Sequence, residues 1–172
     1  MQEMNNVVRA VALPPSAGIA PLYPGSNLAD AYAVDLPTEQ ARRMDMQGLA
    51  RLLLGSQPGW TRKLMVLRDA IVARFGIQTA RQMEAKPGKR IGIFRIFAVS
   101  DDEIILGEDD SHLDFRISVL RERDAGRHGS VTISSVVHCH NGVGRAYIVL
   151  IRPFHKLIVR RSLARAVKGG LA

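Results

Sequence analysis

From His112 to Val119 the chain alternates without a break. Leu113, Phe115, Ile117 and Val119 fall on one side, and His112, Asp114, Arg116 and Ser118 on the other. Successive side chains of a strand point to opposite faces, so this pattern predicts a strand with one buried face. A sheet of such strands must bury its apolar side against another layer. The same period of two starts at Ile91 and predicts strands at 91–99, 103–108, 112–121, 131–140 and 145–152. Asn141-Gly142, between the last two runs, reads as a hairpin turn.

Upstream of Ile91 the period is helical. Thr38 after Pro37 is a helix-start signal, and Met46, Leu49, Ala50 and Leu53 recur as one apolar face before Gly55 and Pro58. Trp60, Leu64, Leu67, Ile71 and Phe75 make the stripe of a second helix that Gly76 stops. Ala31 to Leu36 is a short strand ahead of this helical pair, and another short strand falls near Val7 to Leu13. Pro153 closes the sheet and a last helix runs from Phe154 to Val167. The fold class is therefore α+β: an antiparallel sheet wrapped on a C-terminal helix, with a helical pair after the first strand. Residues 1–30, rich in Pro, Gly, Ala and Ser, read as an extended arm. Residues 31–168 form one domain and 169–172 a tail.

Six short motifs carry a family resemblance. They are Pro58-Gly59-Trp60, Leu67-Arg68-Asp69, Ile91-Gly92-Ile93-Phe94, Asp110 to Arg116, Asn141 to Tyr147, and Pro153-Phe154-His155, spanning about residues 30 to 168. In this order they resemble a family of bacterial domains of unknown function, some fused behind a short-chain-dehydrogenase-like domain. The order of elements resembles the helix-grip fold of the START and Bet v 1-like (SRPBCC) superfamily. That resemblance implies an apolar cavity between sheet and last helix, and no reaction. Trp60, Phe94, Phe115, Val137 and Ile148 are its candidate apolar wall.

With Asn141 to Gly144 as a hairpin loop, His140 pairs with Arg145, His138 with Tyr147, Val136 with Val149 and Ser134 with Ile151. The alternate face, with Ile133, Val137 and Ile148, is apolar and meets the core, and Cys139 on it reads as a small core residue. The mixed face carries His138, His140, Arg145 and Tyr147, with His112, Asp114 and Arg116 on the neighbouring strand. These seven are the polar candidates for ligand binding. Three readings stay open: a solvated sheet surface, a binding patch or polar cavity end, and a metal site. No zinc-type ligand spacing supports the last. Gly142-Val143-Gly144 opens no helix in this reading and is no phosphate cradle. His155 is read as a capping or packing residue at the start of the last helix. No nucleophile–base–orienter set is readable, and no cofactor is called for.

The formal net charge is +8 on 172 residues, unevenly spread. Asp101 to Asp114 holds seven acids and no Lys or Arg. No acid follows Asp124, and seven basic residues lie from Arg145 onward. The two stretches complement each other within a chain or between subunits of a homo-oligomer. Aromatic residues are only 5%, too few to interleave with the basic tail, which disfavours nucleic acid. A membrane is not expected as partner, because a helix starting at Phe154 lacks a separate exposed apolar face. No apolar run reaches transmembrane length, no secretory signal is visible, and a single cysteine fits a reducing cytoplasm. The leading expectation is a module for a small apolar or amphipathic ligand. The alternative is an assembly, nucleic-acid or acidic-partner module using the basic C-terminal segment.

Overall fold

The computed structural model describes residues 8–36, 39, 43–55, 66, 69–70, 73–77, 79–122 and 129–169. Thr38 and the Pro58-Gly59-Trp60 motif lie outside the described residues. So does most of the second helix, of which Val66, Asp69 and Ala70 are helical.

The alternating segments form strands that pair antiparallel throughout. They are β1 (Val8–Ala10), β2 (Leu28–Asp35), β3 (Arg90–Ile91), β4 (Phe94–Val99), β5 (Glu103–Asp109), β6 (Leu113–Glu122) and β7 (Ser130–Cys139). They make one sheet in the order β1-β2-β7-β6-β5-β4-β3. The run read as 91–99 is broken by Gly92, whose φ of 58° makes the tight turn that pairs Ile91 with Phe94. Leu113, Phe115, Ile117 and Val119 of β6 stand opposite Cys139, Val137, Ser135 and Ile133 of β7, which builds the apolar inner face. Asp30, Tyr32 and Val34 of β2 continue it beyond β7, and Ile104, Leu106 and Glu108 of β5 on the other side.

Helix α1 (Met46–Gly55) buries the four residues its spacing singles out, Met46, Leu49, Ala50 and Leu53. Asp45 begins it: the Asp45 carbonyl accepts from Leu49 N at 2.9 Å, and its carboxylate from Gly48 N at 2.8 Å. A short helix α2 (Ala80–Glu84) follows, opened by a Thr79–Gln82 capping box. Phe75 is 57% exposed in a short 3-10 turn, so the stripe of the second helix does not extend to it.

The largest correction concerns the C-terminus. No strand exists at 145–152; a single helix α3 runs from Gly142 to Gly169 with Pro153 inside it. The pairs His140–Arg145, His138–Tyr147, Val136–Val149 and Ser134–Ile151 therefore do not form. Asn141 decides the matter. Its carbonyl accepts from Arg145 N and its side-chain oxygen from Gly144 N at 3.0 Å, the two bonds of a helix N-cap. Pro153 removes one helical bond, that to the Val149 carbonyl, but Val149 is 75% exposed and water can serve it.

The outer face of the sheet is not simply solvated. Residues before β2 cross it, so Ala17 and Ile19 pack with Leu120 and Val136. The Glu103 carboxylate accepts from Gly18 N at 2.9 and 3.0 Å and from the Ser118 hydroxyl.

Two glycines are required by close approach. A Cβ on Gly107 would sit 2.1 Å from the Phe115 carbonyl oxygen, and one on Gly144 2.2 Å from that of His112. Gly142, in the same helical turn, has open space around it. Gly107→Ala and Gly144→Ala should each cost about 2–3 kcal/mol, read from the urea midpoint, while Gly142→Ala leaves stability unchanged or raised. Equal effects at Gly142 and Gly144 would remove the close-approach argument.

Candidate functional site

Helix α3 lies over the inner face of the sheet and is packed tightly at two places. Leu163, Ala164 and Ala166 enter the main core with Leu49, Leu53, Val131 and Ile133. Nearer its start, Ile148 packs with Leu28, Leu113 and Val137. Between these clusters a cavity of about 260 Å³ remains, partly open to solvent. The sheet supplies Phe94, Phe115, Ile117, Ile133 and Val137 to its wall, and α3 supplies Ile148, Ile151, Ile158 and Val159. Leu53 of α1 and Met83 of α2 add to the apolar part. Phe94 and Phe115 meet edge to face, with ring centroids 6.0 Å apart and planes at 85°.

Polar groups reach this apolar space from two sides. On the β2–β7 side, His155 of α3 lines the cavity and its Nε2 lies 3.3 and 3.4 Å from the Asp30 carboxylate oxygens. Asp30 stands opposite Ser135 in the sheet, and Ser135 lines the cavity too. Ser162, seven residues beyond His155, also lines it, and its hydroxyl is buried with no hydrogen-bond partner among the described residues. On the β5 side is Glu108, only 4% exposed. Its carboxylate takes Arg90 at 2.6 Å and Lys86 at 3.2 Å. Burial pushes the Glu108 carboxyl up, and the hydrogen bonds and charges of Arg90 and Lys86 outweigh that and hold it below the usual range. Asp30 and Glu108 sit three strands and two residues of register apart, roughly 16 Å at the usual strand spacings.

The seven polar candidates scatter. Tyr147 lines the cavity, from α3 rather than from a strand, and Arg116 contributes to its wall. The Arg116 guanidinium stacks 3.7 Å from the Phe97 ring centre and pairs with Asp109 at 2.6 Å. His112 Nδ1 accepts from the Asn141 side-chain amide at 2.8 Å, so it serves the helix cap. His138 Nε2 donates to the Leu22 carbonyl at 2.7 Å and fastens the N-terminal segment. His140 pairs with Asp114 at 2.9 Å, and Arg145 is exposed in the first turn of α3. Of the apolar candidates, Phe94, Phe115, Val137 and Ile148 all line the cavity, and Trp60 lies outside the described residues. Cys139 packs among Leu28, Leu113, Val137 and Ile148, and burial pushes its thiol up, against the weaker effect of Arg145. Among the described residues no three His, Cys, Asp or Glu side chains gather as a metal site.

Sequence reasoning missed Asp30, Glu108, His155 and Ser162. Two had a signal: Asp30 is in phase with Leu28 and Tyr32 along β2, and Glu108 with Ile104 and Leu106 along β5. An acid on the apolar phase of a strand faces the core side of the sheet. His155 and Ser162 are in phase with Ile148 and Ile151 only if one helix crosses Pro153.

Fold and cavity together define an α+β domain whose antiparallel sheet carries a C-terminal helix across one face. The chain belongs to the family described as Protein of unknown function (DUF2867), which it matches over residues 22–162. No curated protein and no solved structure matches it.

Glu108→Gln would leave Arg90, whose side chain is 9% exposed, without its counter-charge. The expected loss is about 3 kcal/mol at neutral pH. Because the folded carboxyl titrates below its ordinary 4.5, this contribution is present above that pH and is lost as pH falls through the lowered value. Urea melts of both proteins should thus converge in acid. A gap that stays constant down to pH about 3 would contradict the assignment.

Proposed function

We propose that the protein binds a small apolar or amphipathic molecule between its sheet and α3. One observation carries this reading: an apolar space of about 260 Å³ in the middle of the fold, lined by Phe94, Phe115, Val137 and Ile148. Protein interiors are close-packed, and voids larger than a water are few. The space is partly open to solvent, so without an occupant its apolar walls stay in contact with water, which is unfavourable. An apolar occupant offsets that cost, and the volume falls just below the usual range for ligand pockets.

The arrangement of polar groups supports an amphipathic occupant. The apolar walls set affinity, and the His155–Asp30 pair and the Ser162 hydroxyl, about 10 Å apart along α3, offer hydrogen bonds at two points along one side of the space. The resemblance of the element order to the helix-grip superfamily points the same way, since a cavity under the last helix is what that resemblance implies. The single, part-buried cysteine is in keeping with a reducing, cytoplasmic setting.

Native mass spectrometry of the protein as purified from cells tests the reading. The expected result is an adduct that survives gentle ionisation, is lost on denaturation, and is absent from Ile158→Trp, which fills the cavity from α3. An environment-sensitive apolar dye should bind the ligand-stripped protein and fail to bind that variant. Bare mass together with no dye binding to the folded wild type would overturn the proposal.

A further inference from the structure

The outer side of α3 carries an apolar stripe in its first half. Val149, Leu150, Phe154 and Leu157 are 75, 53, 47 and 41% exposed. Their spacing puts them on one side of the helix, with exposed Pro153 among them. Exposed Arg145, Arg152 and Lys156 run along one flank of this stripe. The premise that the basic helix has no exposed apolar face with Trp or Phe thus falls, because the helix starts at Gly142 and carries Phe154 at its middle.

Charge decides what can cover such a face. Helix α3 holds seven Lys and Arg and no acid. A second copy docked through its own α3 would oppose cations to cations in either orientation. A nucleic acid would want cations at the centre of the contact, where this helix has its apolar stripe. The matching surface offers apolar depth and negative charge side by side, as the boundary between headgroups and acyl chains of an anionic bilayer does. We propose that α3 docks the protein on anionic membrane surfaces. Val149, Leu150, Phe154 and Leu157 enter the headgroup–acyl boundary, and Arg145, Arg152 and Lys156 face the lipid phosphates. The helix lies in the plane of the surface: among the described residues none is long and apolar enough to cross a membrane. The proposal stands whether or not the cavity holds a ligand.

Co-sedimentation of the full chain with vesicles tests it, using phosphatidylcholine alone or mixed with phosphatidylglycerol. The expected result is binding to the mixed vesicles only, weakened by salt. Affinity should fall at least about tenfold in Phe154→Ser/Leu157→Ser, which removes apolar depth, and in Arg152→Gln/Lys156→Gln, which removes charge. All four residue changes are at exposed positions, and unchanged thermal melting shows that the variants are folded. Three results would overturn the proposal: no binding to the mixed vesicles, equal binding by wild type and both variants, or a wild-type dimer that Phe154→Ser/Leu157→Ser converts to monomer.

Discussion

Asn141 ties a strand and a helix together, and the cavity depends on it. Its backbone carbonyl and side-chain oxygen cap α3, and its amide holds His112 beside the start of β6. Gly144 then passes against the His112 backbone with no room for a side chain. This junction fixes where α3 leaves the sheet. At the far end Leu163 and Ala166 fix it again against α1 and β7. A rigid helix held at two points cannot follow the twist of the sheet beneath it. The space between the two anchors is the cavity.

The same geometry gives α3 two apolar faces. One looks on Phe115 and Val137 and is interrupted by His155 and Ser162; the other presents Val149, Leu150, Phe154 and Leu157 outward. An ordinary surface helix keeps one apolar stripe and a polar back. A helix apolar on both sides in its first half is suited to work between two apolar environments. Three acids of the 101–114 stretch pair outside α3: Glu108 with Arg90 and Lys86, Asp109 with Arg116, and Asp114 with His140.

Much of the sheet was legible because period two is a strong signal where one face is buried. The inner residues Phe115, Ile117, Ile133 and Val137 and the buried face of α1 were read directly. The C-terminal misreading has a physical cause. Tyr147-Ile148-Val149-Leu150-Ile151 is rich in β-formers and apolar all round, so neither period stands out, and Asn-Gly serves a hairpin and a helix cap alike. Pro153 then looked like an end, although the spacing of Ile148, Ile151, His155, Val159 and Ser162 runs straight through it. Among the polar candidates only Arg145 and Tyr147 rest on a strand that does not form; the others lie on or beside β6 and β7, where His112 serves the helix cap, His138 holds the N-terminal segment and His140 pairs with Asp114. The apolar ones rested on β6 and β7 and on the resemblance, and those that are described all line the cavity.

The direct test is to follow Ile, Leu and Val methyl resonances of the ligand-stripped protein while a simple apolar alcohol such as octanol is added. Saturable shifts at Ile133, Val137, Ile148 and Ile158, with Ile19, Leu120 and Val136 behind the sheet unmoved, are the predicted result. Shifts confined to Val149, Leu150 and Leu157, or none that saturate, would contradict a ligand space beneath α3.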